Sequence, residues 1–594
     1  MRYLLFISLC FALITTVTAQ TEQLARNYAE QGQYEKAVAV LKKLYKKKSY
    51  RNRILYDLVE YQQQLENYAE ADRLLNERIN QQPNLPTLYA ELGHNFELQR
   101  QTTKAAKYYQ TAIEKLELNP NYSSALGKVF EEYNLLDQAV AAYEKGMTLN
   151  ERLNFRPQLA KIYGEQGNLE KMFDTYLSLI DTNPIYFNRA QHIFGLYISE
   201  DPTNEANGVF RKLLLKKLQQ QPNITYNEML SWLFVQQKDY RKAFSQEKAI
   251  YKRSEQGFDG IMDLAEITIA ANEDETAKEI LEYVIESPSS RATTIKAHQI
   301  LQQLAIKSAK KQQYDKINEE YENLLALFGK SQETLKLQID YAHFMAFDQD
   351  RKQEAVAVLK KCFKQRLSKF DAARVRMELA DILVLDEKFN EALIYYSQIQ
   401  GALKNDGLSQ EARFKVAKTS YYKGDFKWAQ TQLDVLKRSA SQLISNDAME
   451  LSLVISDNSL EDSTQTALKV FAKADLLAFQ HKDSEAINTY DQILNNHKGE
   501  KIEDEALFRQ AKLYEKAENF EKAVVNYIKI IEYHGEDILV DDAHFYLASL
   551  YESVLDQPEK AKEHYEYIIF NHADSIHFVE SRKKYRALRG DAIN

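Results

Sequence analysis

Ala37, Ala71, Ala105 and Ala139 are spaced by 34 residues each. Around them one phrase recurs: "LARNYAEQGQYEKAVAVL" (24–41), "LAKIYGEQGNLEKMFDTY" (159–176), "LADILVLDEKFNEALIYY" (379–396) and "QAKLYEKAENFEKAVVNY" (510–527). In each, a small residue precedes a Tyr or Leu by three positions. An aromatic or Leu stands nine positions after the small residue, and a small or apolar residue twelve after it. Such a period constrains the fold strongly. It is too short for a domain and fits two helices of a dozen residues with a polar turn such as "EQGQ". Antiparallel helices leave room only for small side chains where their axes approach, which pairs Ala25 with Ala37, Gly93 with Ala105 and Gly127 with Ala139.

Composition agrees. The 594 residues hold only 9 prolines and 17 glycines, too few for the turns of a β-rich chain. The 38 tyrosines suit a thin two-helix layer, in which a ring buries its body while its hydroxyl reaches water at the edge.

This pattern resembles the tetratricopeptide repeat family. Later anchors fall at Met172, Ala206, Ala243, Ala277, Ile317, Ala355, Ala392, Ala429, Ala486, Ala523 and Ala561. The resemblance implies an all-α solenoid, a right-handed superhelix of about fifteen helix–turn–helix units. The pattern degenerates between about 190 and 370, and the 57-residue step from Ala429 to Ala486 holds an extra helix within "NDAMELSLVI" (446–455). From about 370 onward the units look like the subtype found in the lipoprotein of the outer-membrane barrel-assembly machine and in the Tol-associated periplasmic coordinator. Histidine or asparagine replaces that subtype's usual proline here.

"MRYLLFISLCFALITTVTAQ" has a basic Arg2, an apolar run and Val17-Thr18-Ala19, the layout of a cleaved secretory leader. The expected organisation is therefore a leader at 1–19, an N-terminal array at 20–221 and degenerate repeats at 222–370. Repeats at 371–438 follow, then an inserted helix and loop at 439–466, a C-terminal array at 467–574 and a capping helix at 575–594. A bend is expected at 439–466, because an inserted helix must leave a nearest-neighbour stack or wedge into it. The leader and the envelope-type repeats imply, as an expectation, a periplasmic chain, with a place peripheral to the outer membrane as its further reading.

No phosphate-cradling glycine loop, Cys-x-x-Cys, His-Glu-x-x-His or Gly-x-Ser-x-Gly occurs, so a non-enzymatic chain without cofactor is expected. His572 and His577 beside Asp574 invite a metal reading. However, His497, His534 and His572 each follow their anchor by eleven residues. That is the end of a unit's second helix, where a donor suits exposed carbonyls and the negative dipole end. Repeat spacing then keeps them too far apart to share a metal, so no metal site is expected.

A net charge of −9 gives no global attraction to nucleic acid. The basic stretches 42–53 and 581–590 can touch anionic lipid, a glycan or an acidic partner, or simply be solvated. Stacked first helices line a groove, and Tyr56, Glu60, His94, Glu97, Lys128 and Glu131 are expected to face it. A groove with both charges and tyrosines suits a protein segment. The expectation is a scaffold for proteins of a cell-envelope complex, with a glycan (peptidoglycan) receptor as the alternative.

Overall fold

The computed structural model describes residues 21–47, 51–254, 257–404, 406–439, 442–459 and 464–591. The leader read at 1–19 lies outside them. Among the described residues there is no strand, and helix pairs succeed one another along the chain. The helix 21–30 pairs with Tyr34–Lys47, Asn52–Gln64 with Tyr68–Gln81 and Pro86–Leu98 with Thr102–Glu114, continuing to Val540–Ser553 with Pro558–Asn571. Most first helices pack on their own second helix, as Pro86–Leu98 does on Thr102–Glu114, and several pack on the first helix of the next unit. This is the all-α array of helix–turn–helix units read from the period. Two compact units divide at Leu264/Ala265.

The anchors carry the packing. Ala37, Ala71, Ala139, Ala392, Ala429, Ala523 and Ala561 are fully buried, and Ala105 nearly so. The partner twelve residues earlier is buried too, as with Ala25, Ala160, Ala380, Ala417 and Ala511. At Gly93 and Gly127 the reason differs in detail from close alanine contact. A Cβ on Gly93 would lie 2.5 Å from the Tyr109 ring and 3.3 Å from the Ala105 carbonyl. On Gly127 it would lie 2.3 Å from the Tyr143 ring. The tyrosine four residues after the anchor thus lies flat on the glycine of the first helix.

Those tyrosines correct a second expectation. Their hydroxyls donate to carboxylates of their own first helix: Tyr109 to Glu97, Tyr143 to Glu131 (2.5 Å), Tyr396 to Asp381 (2.5 Å), Tyr490 to Asp475 (2.5 Å), Tyr527 to Glu515 and Tyr565 to Glu552 (2.9 Å). A charge-assisted bond satisfies a polar tip that burial would otherwise leave costly.

The turn inside a unit has a repeated device. The residue five before the anchor adopts a left-handed conformation, as at Gly32 (φ 71°), Glu66 (57°), Arg100 (60°), Asn134 (55°), Gly167 (72°), Glu387 (56°) and Glu518 (54°). At the first turn the Gly32 N–H donates to the Ala29 carbonyl and the Gln33 N–H to that of Tyr28, which closes the preceding helix. Non-glycine residues fill most of these positions, which explains how so few glycines serve so many turns. The helices Tyr186–Phe194 and Glu205–Gln220, and Arg291–Ser308 and Tyr314–Phe328, are joined without such a residue. They are the units whose pattern is hardest to read.

The helix Gln442–Asp457 occupies the 57-residue step. It packs against Phe426–Ser439 and Gly407–Tyr422, while Gly407–Tyr422 also packs directly on Thr466–Phe479. Ala417, Phe426, Ala448, Ile455, Phe471 and Ala506 share one apolar core. The inserted helix thus lies beside the stack, and the first helices on either side of it remain in contact.

Candidate functional site

Each compact unit presents a polar cavity on its first helices. In the first unit, Glu60 and His94 line a cavity of about 540 Å³ with Glu66, Tyr68, Glu132 and Tyr133, and neither Lys nor Arg lines it. The His94 ring stacks on Tyr133, centroids 3.7 Å apart and planes 8° apart. The Tyr133 hydroxyl donates to Glu91 at 2.7 Å. Glu91 is 6% exposed. Burial, joined by repulsion from Glu132 and Glu60, pushes its carboxyl up to about 7 despite the Tyr133 bond. Burial also lowers the His94 pKa, and its Nδ1 makes no hydrogen bond, lying 4.0 Å from Glu97 Oε2.

The other expected groove residues are differently employed. The Tyr56 hydroxyl lies 2.7 Å from Thr87 Oγ1, and burial pushes it up to about 12. Glu97 and Glu131 hold the anchoring tyrosines, with Lys161 also 3.7 Å from Glu131. Lys128 is exposed. Of the six, the cavity brings together Glu60 and His94.

The second unit holds a chamber that sequence reasoning missed. Two adjoining cavities of about 460 and 380 Å³ share Phe414, Lys418, Tyr422, Asp447 and Phe479. Ile444, Asp447, Glu450 and Leu451 of the inserted helix line one side. The opposite wall comes from first helices. Lys415 pairs with Asp381 at 2.6 Å, Arg509 with Glu450 at 2.5 Å, and Asp475 accepts from Tyr421 (2.9 Å) and Tyr490 (2.5 Å). Asp381, Glu450 and Asp475 are thereby fixed acceptors. Lys418 is different: among the described residues its ammonium makes neither a hydrogen bond nor an ion pair, and it lies 6.0 Å from the centroid of the Tyr422 ring. The side chain is open to the chamber, yet the protein packed around it displaces solvent and lowers its pKa, opposed by Asp475. A signal for this site existed in the apolar face of 446–455. What that helix covers depends on where it docks, which periodicity does not encode.

The histidines close helices. His497, His534 and His572 are the residues that follow Asp483–Asn496, Phe520–Tyr533 and Pro558–Asn571. Their N–H groups donate to Ile493, Ile530 and Ile568. The His497 and His534 rings lie 2.9 and 3.1 Å from Glu500 and Asp537, three residues on, rather than on the exposed carbonyls. His577 Nε2 lies 2.8 Å from Asp542. Among the described residues no group of three or more His, Cys, Asp or Glu side chains could hold a metal ion. No described helix is long and apolar enough to cross a membrane. Cys362 is buried, 3.4 Å from Gln338 Oε1. In the basic stretches, Lys42 pairs with Glu70 (3.3 Å), Arg51 with Glu22 (3.1 Å), Lys584 with Glu552 (2.9 Å) and Arg589 with Asp591 (2.6 Å).

A family model described as tetratricopeptide repeat matches residues 23–47 and 505–536, each largely within one helix pair. With the helix-pair geometry, this makes the fold a tetratricopeptide-type α-solenoid. A solved structure of Naa15/Naa10 bound to HypK-THB is 13% identical, with 97% of this chain and 94% of that one covered and a TM-score of 0.28. A crystal structure of the APC/C hetero-tetramer Cut9-Hcn1 is 12% identical, with 97% and 98% covered and a TM-score of 0.26. No curated protein matches the sequence.

Proposed function

We propose that this chain is a non-catalytic scaffold that holds segments of partner proteins on the first-helix face of its array. The observation that carries this reading is the chamber beside Gln442–Asp457, in which opposed charges and tyrosine rings surround an unpaired Lys418. Fixed ion pairs and Tyr–carboxylate bonds make a rigid, polar, aromatic surface. Such a surface recognises protein well and holds few groups free to move protons. The tetratricopeptide-type fold supports the same reading.

The leader-like 1–19 and the look of the repeats after about 370 extend the proposal. The chain works in the bacterial envelope, on the periplasmic side and peripheral to the outer membrane, as part of a protein complex. Affinity capture of the leaderless chain from envelope extract, with quantitative mass spectrometry, tests it. The expected result is a protein recovered in stoichiometric amount by the wild type and reduced several-fold by Lys418→Glu. Recovery of no stoichiometric protein, or of one confined to the cytosol, would overturn it.

A further inference from the structure

A further cavity lies where the inserted helix meets the helix Ile502–Lys516 and the loop 536–539, with a volume of about 270 Å³. Leu453, Val454, Phe508, Ile538 and Leu539 give it apolar walls. Two of these are held open to solvent: Leu453 is 39% and Ile538 is 65% exposed. Apolar groups left uncovered around a concavity mark a place for another apolar group.

The rim has one dominant sign. Asp457, Asp504, Glu505, Glu536 and Asp537 surround the apolar walls, and Lys501 is the cation among them besides Arg509, whose charge goes to Glu450. Asp504 and Glu505 sit side by side, and among the described residues no Lys or Arg pairs with either. Glu505 Oε1 lies 3.5 Å from Asn458 Nδ2, and its buried Oε2 has no hydrogen-bond partner. Burial, reinforced by Asp504, holds the Glu505 carboxyl well above the usual carboxylate range. Glu505 therefore keeps its proton near neutral pH, and the rim's accessible negative charge comes from Asp457, Glu536 and Asp537.

We propose that this cavity docks a basic segment of a partner protein, which inserts one large apolar side chain between Leu453 and Ile538 and lays flanking Lys or Arg residues on the acidic rim. The proposal rests on the scaffold reading and specifies the partner's chemistry. The anchor supplies affinity by covering apolar surface, and the rim supplies orientation and on-rate. An acidic segment meets like charge and is rejected.

Selection from a displayed library of random twelve-residue peptides on the full leaderless chain tests this, followed by fluorescence anisotropy with the enriched peptides. The exposed positions permit folded variants, Ile538→Ser and Glu536→Lys, whose melting temperatures should match wild type. The expected enrichment is Leu, Ile, Phe or Met flanked by Lys or Arg. Binding should fall at least tenfold in Ile538→Ser and several-fold in Glu536→Lys, and weaken with added salt. Enriched peptides that are acidic, or that bind both variants like wild type, would overturn the docking proposal and leave the scaffold reading intact. A library that yields no selective peptide would overturn the docking proposal alone, since the scaffold reading stands or falls with the envelope capture.

Discussion

Gly127→Ala separates two physical effects of opposite sign. Alanine favours a helix over glycine by about 1 kcal/mol, so propensity alone predicts stabilisation. The contact predicts the reverse. The new Cβ would sit 2.3, 2.4 and 2.8 Å from three atoms of the Tyr143 ring. The ring is held on one side by Phe155, centroids 4.9 Å apart, and at its tip by the 2.5 Å bond to Glu131. Restoring normal contact needs a retreat of about 1 Å. Overpacking of this kind costs about 1–3 kcal/mol, and weakening the charge-assisted bond adds about 1–2 kcal/mol. Against the propensity gain, a net loss of about 1–4 kcal/mol is expected. Hydrogen exchange resolves it locally: amides of Ser123–Glu132 and Leu136–Leu149 should lose protection while distant repeats keep theirs. Adding Tyr143→Leu should recover part of the loss. Unchanged or increased protection in Gly127→Ala would refute the ring-on-glycine account of the unit.

Arg100→Gly at the left-handed turn position (φ 60°) should stabilise its unit by about 1 kcal/mol, read as a raised denaturant midpoint. Glu91, ordinarily near 4.5, is pushed up to about 7, so the folded chain binds its proton more tightly than the unfolded one. Its contribution is complete below about 4.5 and is lost as pH rises through about 7, by about 3 kcal/mol. Glu91→Gln should flatten that part of the stability–pH curve. His544, ordinarily near 6.5, is lowered to about 3 by burial and by His564 and His572. Its contribution is present above about 6.5 and is lost as pH falls toward about 3, and His544→Leu should abolish this acid sensitivity of the last helix pair. EDTA should leave the melting temperature unchanged; a fall reversed by zinc would contradict the reading of the histidines as helix-closing residues.

The fold was legible because its constraint is local and repeated. A small residue at one position and a ring four residues later recur within a unit, and neighbours alone complete the core. Ala37, Gly93 and Ala523 therefore declared themselves. Tyr–carboxylate bonding was less legible, since Glu97 and Glu131 look like solvated charges until the ring that reaches them is placed. The degenerate stretch was hard for a related reason. Its units at 186–220 and 291–328 close their turns by other means than a left-handed residue. Least legible was the chamber. Lys418, Asp475 and Arg509 come from three successive first helices, and they form one site only because Gln442–Asp457 docks across them. Glu60 and His94, by contrast, follow from helix register within two adjacent units.

The scaffold claim is tested most directly inside the chamber itself. A photo-crosslinking amino acid in place of Asp447, which lines both chamber cavities, would be activated in intact cells of the source organism. The account predicts one discrete protein adduct, lost when Lys418→Glu is added and formed in the envelope fraction. A chain that crosslinks only within itself, or to glycan rather than protein, would contradict it.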